Sequence, residues 1–387
     1  MEFKKLGELC SIVSGGTPSR SKVEFWNQGT IPWIKIGNLK GKYVNEADEF
    51  ITQEGLNGSS AKLLPKGTVL YTIFATLGEV GILEIEACTN QAIAGLSIND
   101  SKQLTTDYLY YFLKSKKTYV NDIGRGVAQN NINMSILRNF DIPVPNLIKQ
   151  KEIVSILDKV SFILNKRSKE LQLLDELVKV RFVELFGTYP ANEFGWEDKK
   201  IRDVVNEVRY GSSRKATDGT NGKYPYLRMN NITYDGELDL TDIKTIDIPD
   251  DEVPKCSVHK GDVLFNRTNS KELVGKTCVY NKDEMMILAG FIVRVRVNEK
   301  VLPEFLSAFM NAYFTKKKLL EMCKTAIGQA NINAQELQNM GIYIPPIKLQ
   351  NEFVIFKNQV DKSKSAIKKS LEETQILFDS LMQKYFG

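Results

Sequence analysis

A chain of 387 residues with 42% hydrophobic and 10% aromatic residues is long enough for two or three cores and too apolar to be disordered. Its 52 Lys and Arg against 47 Asp and Glu leave a net charge of +5, which admits nucleic acid as a partner without requiring it. The cysteines Cys10, Cys88, Cys256, Cys278 and Cys323 form no Cys-x-x-Cys pair, Met1-Glu2-Phe3-Lys4-Lys5 lacks a signal-peptide core, and no apolar run would span a bilayer, so the expectation is a cytoplasmic protein without a zinc site or disulfide framework.

In chain order the first signal is a small, hydroxyl-rich loop, Ser14-Gly15-Gly16-Thr17-Pro18-Ser19-Arg20-Ser21. Strand patterns follow at Ile31-Pro32-Trp33-Ile34, after the turn Lys66-Gly67, and at Ala92-Ile93-Ala94-Gly95-Leu96. Tyr108-Leu109-Tyr110-Tyr111-Phe112-Leu113 reads as one helix. Gln129-Asn130-Asn131-Ile132-Asn133 then leads to Ile142-Pro143-Val144-Pro145 and to a long helix pattern that opens near Gln150 and closes on Leu185-Phe186-Gly187.

The chain then repeats itself. Arg209-Tyr210-Gly211-Ser212-Ser213-Arg214-Lys215 takes the place of the first loop. Tyr224-Pro225-Tyr226-Leu227, the turn Lys260-Gly261, and Phe291-Ile292-Val293-Arg294-Val295 answer the strand patterns. Pro303-Glu304-Phe305-Leu306 opens the matching helix, and Gln329-Ala330-Asn331-Ile332-Asn333 precedes Ile344-Pro345-Pro346 and a helix from near Gln350 to Tyr385-Phe386-Gly387. A period this long marks duplicated domains and not a solenoid. The expected organisation is α+β: a mixed module at residues 1–146, a helix at 147–187, a second module at 188–346 and a second helix at 347–387.

Both helices carry a heptad seam. In the first it runs Ile153, Leu157, Val160, Leu164, Arg167, Leu171, Leu174, Val178, Arg181 and Leu185. In the second it runs Phe353, Lys357, Val360, Lys364, Ile367, Leu371, Thr374, Phe378, Leu381 and Tyr385. Each helix is about 60 Å long at 1.5 Å per residue. Neither hides its stripe alone, so the expectation is an antiparallel coiled coil with pseudo-two-fold symmetry and a module at each end, a geometry suited to duplex DNA with two half-sites.

Base and phosphate recognition uses Arg, Lys, Asn, Gln and hydroxyl side chains, and small loops whose N–H groups approach phosphate. The candidates in the first module are Ser14, Thr17, Ser19, Arg20, Lys35, Asn38, Lys40, Thr72, Thr76, Asn90, Gln91, Arg125 and Gln129. In the second they are Arg209, Tyr210, Ser212, Ser213, Arg214, Lys215, Arg228, Asn230, Asn231, Arg267, Asn269, Lys271, Lys276 and Gln329. Asn131 and Asn331 read as helix caps.

Catalytic signals are poor. The one histidine, His259, sits in a turn and cannot serve a duplicated triad. No nucleotide-binding loop is present. The acidic run from Asp247 to Glu252 occurs in one copy and reads as a solvated loop. A coiled-coil scaffold with two protein-binding heads and no DNA role is the alternative reading.

These elements together resemble the DNA specificity subunit of type I restriction-modification enzymes, over the whole chain. The resemblance rests on Gln129-Asn-Asn-Ile-Asn133 with Ile142-Pro143 through Ile153, on Gln329-Ala-Asn-Ile-Asn333 with Ile344-Pro345 through Phe353, and on Gly15-Gly16-Thr17-Pro18 with Pro32-Trp33-Ile34-Lys35. The second copy departs in lacking Gly-Gly-Thr-Pro and in reading Gln350-Asn351-Glu352 where the first has Gln150-Lys151-Glu152. The resemblance implies target recognition domains that each read half of a split DNA sequence, and helices that set their spacing and dock two modification (methyltransferase) subunits. It implies a non-catalytic chain that binds no cofactor itself. S-adenosylmethionine would belong to the modification subunits, ATP and magnesium to a restriction subunit that cuts unmethylated DNA.

Overall fold

The computed structural model describes residues 2–125, 131–216, 222–326 and 329–387. The chain divides into two compact units, Met1–Arg167 with Lys369–Gly387, and Ser168–Lys368. Each unit joins one mixed module to parts of two 40-residue helices, Leu147–Phe186 and Ile347–Phe386. The fold class is α+β.

In the first unit the turn at Gly67, with φ +87°, sends the chain into strand Val69–Thr72. That strand lies inside a five-stranded sheet, flanked by Ile93–Ile98 and Val80–Leu83, with Cys10–Ser14 and Tyr43–Val44 at the edges. Side chains alternate across a strand, so Val69 and Tyr71 enter the core beneath the helices while Leu70 enters a second core shared with Ile34 and Ala87. Both faces are covered, which is why the strand is an unbroken apolar run. A smaller sheet, Glu49–Ile51, Ile31–Ile34 and Cys88–Thr89, combines an antiparallel and a parallel pair.

The second unit repeats this plan. Gly261, with φ +91°, precedes strand Val263–Asn266. Val263 and Phe265 face the helical core, and Leu264 faces the other. Its sheets run Val205–Tyr210, Ile292–Val297, Val263–Asn266, Thr277–Val279, and Lys244–Ile246, Tyr224–Leu227, Met286–Leu288, Ser257–Val258. A hairpin of Lys324–Ala326 and Gln329–Asn331 pairs with Thr268–Asn269; in the first module only the single bridge Phe74 to Asn131 stands there among the described residues.

Two expectations change. Each module was expected to carry one helix, and each carries two in succession: Thr106–Ser115 and Lys117–Arg125, then Pro303–Asn311 and Tyr313–Met322. The second of each pair buries few residues, Val120 in one and Thr315 and Leu319 in the other, too sparse a period to read from sequence. The caps expected at Asn131 and Asn331 are made two residues later. Asn133 accepts from Ile136 N, and Asn333 accepts from Gln335 N and Glu336 N while the Glu336 carboxylate accepts from Asn333 N.

The long helices pair within each unit. In the first, Ile153, Leu157 and Val160 share a core with Phe378, Met382 and Phe386, with Leu164, Leu381 and Tyr385 packed against it. Early residues of one helix meet late residues of the other, so the pairing is antiparallel. Arg167 Nη1 donates to Ser370 O at 2.7 Å and to the Thr374 hydroxyl, which explains a cation in the seam. In the second unit Phe182, Phe186 and Phe353 share a core, with Val178 and Leu185 against it. Val360 is buried; Leu171, Leu174, Ile367 and Leu371 are half-buried. Phe182, Phe186 and Phe386 lie off the heptad seam because each helix packs on its module as well as on its partner helix.

Candidate nucleic-acid interface

In the first module the loop after strand Cys10–Ser14 runs against two other segments. A Cβ on Gly15 would lie 2.2 Å from Asn90 O, and one on Gly16 2.4 Å from Ala61 N. Gly15 N donates to Ile93 O and Gly16 N to Thr89 O. The glycines therefore serve close packing, and these N–H groups are not the phosphate ligands that the loop composition led us to expect.

Past the glycines the loop carries polar side chains outward. Trp33 Nε1 donates to Gly16 O at 2.9 Å and Trp26 Nε1 to Ser19 O at 3.1 Å. The two indoles meet edge to face at 5.1 Å, and the Arg20 guanidinium lies 3.6 Å from the Trp26 ring centre. Arg20 and Lys35 both reach Glu49, each at 2.5 Å. The bond from Lys35, joined by the bond and charge of Arg20, outweighs burial and holds the Glu49 carboxyl below its ordinary range. Asn38 accepts from Lys35 N and donates to Asp48. Thr17 donates to Gln91, Ser19 meets Ser21 at 2.8 Å, the Ser14 hydroxyl donates to Gly15 O, and Asn90 accepts from Ala92 N. Lys40 and Thr76 are exposed. Thr72 is fully buried and accepts from Glu79 N, a scaffold position.

The second module places other chemistry on the same frame. A Cβ on Gly211 would lie 2.3 Å from Leu288 O, so it is the counterpart of Gly15. Arg214 binds Glu252 through Nε at 3.1 Å and Nη2 at 2.6 Å. Arg228 binds Asp242 at 2.7 Å and Arg209 binds Glu207 at 2.5 Å. Glu207 also takes Arg294 and Arg296; burial opposes its charge, and the arginines outweigh burial to hold its pKa low. The Arg267 guanidinium stands 4.8 Å from the ring centre of Tyr210, whose hydroxyl accepts from Ala334 N. Ser213, Lys215, Asn230 and Lys271 are exposed, and Asn269 accepts from Ser270 N. Ser212, Asn231 and Lys276 are buried: Ser212 accepts from Arg214 N, and Asn231 donates to Asp239 O. Gln129 lies outside the described residues, as do the side chains of Arg125 and Gln329.

Ion pairs that no local sequence pattern signals tie each module to a helix. Lys42 reaches Asp158 and Asp107, both at 2.7 Å. In the second unit the charges are reversed, with Glu237 binding Lys364 and Lys368, and Lys364 also binding Asp175. His259 is exposed in its turn, and Asp250 and Glu252 of the acidic run are paired with Lys223 and Arg214. Among the described residues no helix is long and apolar enough to cross a membrane.

Comparison with known proteins agrees with this duplicated frame. The chain matches the family described as type I restriction modification DNA specificity domain twice, over residues 1–173 and 193–376. It is 28% identical over 254 residues to the MjaIX specificity subunit of Methanocaldococcus jannaschii, covering 60% of this chain and 58% of that protein. It is 21% identical to the EcoKI specificity subunit of Escherichia coli, covering 98% and 86%. The chain thus spans little more than half of the first relative's length and most of the second's. Among solved structures, the S subunit of a type I restriction-modification system from M. genitalium matches with a TM-score of 0.55 and 16% identity, over 100% of this chain and 96% of that one. A chain from a study of complex assembly in the type I system matches at 0.61 and 17%, over 100% and 97%. On the double match of its modules, the chain belongs to the type I restriction-modification DNA specificity subunit family.

Proposed function

We propose that this chain is the non-catalytic subunit that reads a bipartite double-stranded DNA target, one half per module, and directs methyltransferase and restriction subunits to it. The observation that carries the reading is the family match occurring twice, in phase with the duplicated fold. The divergent loop chemistry supports it: Arg20 stacked on Trp26 in one module and Arg267 on Tyr210 in the other suit different half-sites. Exposed apolar residues on the long helices, Phe162 and Val180 on one and Ile355 and Ile376 on the other, support a docking role for the partner subunits. S-adenosylmethionine, ATP and magnesium would be used by those partners, and base flipping would be the methyltransferase's step.

The test is methylome sequencing of a host expressing this chain with its modification subunit, against a host without it. A split motif carrying N6-methyladenine on both strands and vanishing without the chain is the expected result. Unchanged methylation with a folded partner present overturns it and favours the scaffold reading.

A further inference from the structure

One turn is built identically in both modules but carries an unmatched charge in the second. Gly78 and Gly275 both take positive φ, +82° and +79°. Thr72 N donates to Glu79 O at 3.0 Å, and Asn266 N donates to Lys276 O at 2.9 Å. The glycines pack against the same helix in each copy, Gly78 beside Lys117 and Val120, Gly275 beside Leu319. Glu79 and Lys276 are therefore equivalent, as are Lys117 and Lys316.

In the first module this pairing is an ion pair, Lys117 Nζ to Glu79 Oε1 at 2.7 Å. In the second the acid has become a lysine. Lys276 is only 6% exposed, and its ammonium makes no ion pair or hydrogen bond with the described residues. Lys316 Nζ donates to Gly275 O at 2.8 Å and stands 5.7 Å from the Tyr234 ring centre. The nearby carboxylate, Asp235, is bound by Lys179 at 3.3 Å. Burial, and then the charge of Lys276, lowers the Lys316 pKa to about 8, and burial lowers that of Lys276. Two partly buried lysines at this turn, with no carboxylate of their own, lack the counter-charge that Glu79 supplies to Lys117 in the first module.

We propose that Lys276 and Lys316 bind an oxyanion of phosphate chemistry, in the place that the Glu79 carboxylate takes against Lys117. Phosphate oxygens supply both the charge and the several acceptors that two ammonium groups use. The phosphate comes either from a DNA backbone or from free phosphate. The site stands on the lysine geometry, whichever way the DNA reading falls.

The test is the melting temperature of the full chain at neutral pH, in inorganic phosphate against chloride at equal ionic strength. For free phosphate the expected result is a rise of about 2 °C or more in phosphate, lost in Lys276→Glu and in Lys276→Met. Lys276→Glu, which rebuilds the ion pair of the first module, melts no lower than wild type in chloride, so loss of the response is not loss of the fold. A second arm measures duplex binding of the assembled complex against salt. If a DNA phosphate occupies the site, Lys276→Glu reduces the log–log slope by about 1 to 2. A phosphate response with an unchanged slope assigns the site to free phosphate, and a changed slope without that response assigns it to DNA. Neither effect in a folded variant overturns the proposal. Failure of the wild-type complex to bind any duplex would instead strike the DNA reading.

Discussion

Gln150 and Gln350 make the same buried hydrogen bonds in the two halves of the chain. Gln150 Oε1 accepts from Thr105 N at 3.0 Å while Nε2 donates to Gln103 O and Pro145 O. Gln350 Oε1 accepts from Leu302 N at 2.8 Å while Nε2 donates to Lys300 O and Pro345 O. Each amide thus ties the start of a long helix to the residue that opens the first helix of its module, and both side chains are fully buried. Replacing either by Ala leaves three backbone groups of a part-buried joint without their side-chain partner. The expected cost is about 2–3 kcal/mol for each, read as a fall in the urea midpoint. A loss below about 0.5 kcal/mol, the range of neutral surface changes, would remove the clamp from the account.

The loop glycines separate close packing from flexibility. Gly15→Ala drives a methyl group to 2.2 Å from Asn90 O, whereas a Cβ on Gly37 meets nothing within 4 Å. Gly15→Ala is expected to destabilise the chain by about 1–3 kcal/mol, and Gly37→Ala to stay near wild type. Equal melting temperatures for the two variants would contradict the packing.

The strut of the second unit has a pH signature. Burial raises the Glu237 pKa, but the bonds from Lys364 and Lys368 outweigh it and hold the group at about 2. A carboxyl depressed in the folded state stabilises it fully above the ordinary Glu pKa, and that stability is lost as pH falls from about 4.5 through 2. Burial likewise opposes the Lys364 charge, and Asp175 and Glu237 outweigh it to raise its pKa. Its contribution is therefore present below about 10.5 and lost as pH rises through the higher folded value. Because Glu237 is partly exposed, solvent screening reduces the pair to about 1 kcal/mol. Glu237→Gln should lower the melting temperature at pH 6 and converge with wild type near pH 2; parallel curves across that range would refute the strut.

Arg214 is fixed in place by its two bonds to Glu252. Arg214→Ala in the assembled complex should lower affinity for the methylated motif about 10- to 100-fold without disturbing assembly. Gel-shift titration on target and scrambled duplexes checks this. Undiminished affinity would place Arg214 off the DNA.

Phe162 is 68% exposed on the first long helix and Ile376 69% exposed on the second. Phe162→Asp and Ile376→Asp should leave the fold of this chain intact and weaken co-purification with the methyltransferase subunit. Full recovery of the complex in both variants would move the docking surface elsewhere.

The duplication, the mixed modules and the long helices were legible in sequence, because Gln129-to-Asn133 and Gln329-to-Asn333, the Lys-Gly turns and the unbroken heptads are local patterns. Asn133 and Asn333 belong to that legible motif, yet its pattern points equally to Asn131 and Asn331 as caps, since capping depends on where the backbone turns helical. Tertiary structure alone decided which polar side chains face outward. Glu49 meets Arg20 and Lys35, and Glu252 meets Arg214, across sheet edges that no spacing reveals. Thr72 and Asn231 look like base readers in the sequence and are buried in the frame, while Lys276 differs from Glu79 only in which charge the fold encloses. Periodicity reports which face of an element is apolar; the partner of a buried charge is set by strand pairing between residues far apart in the chain.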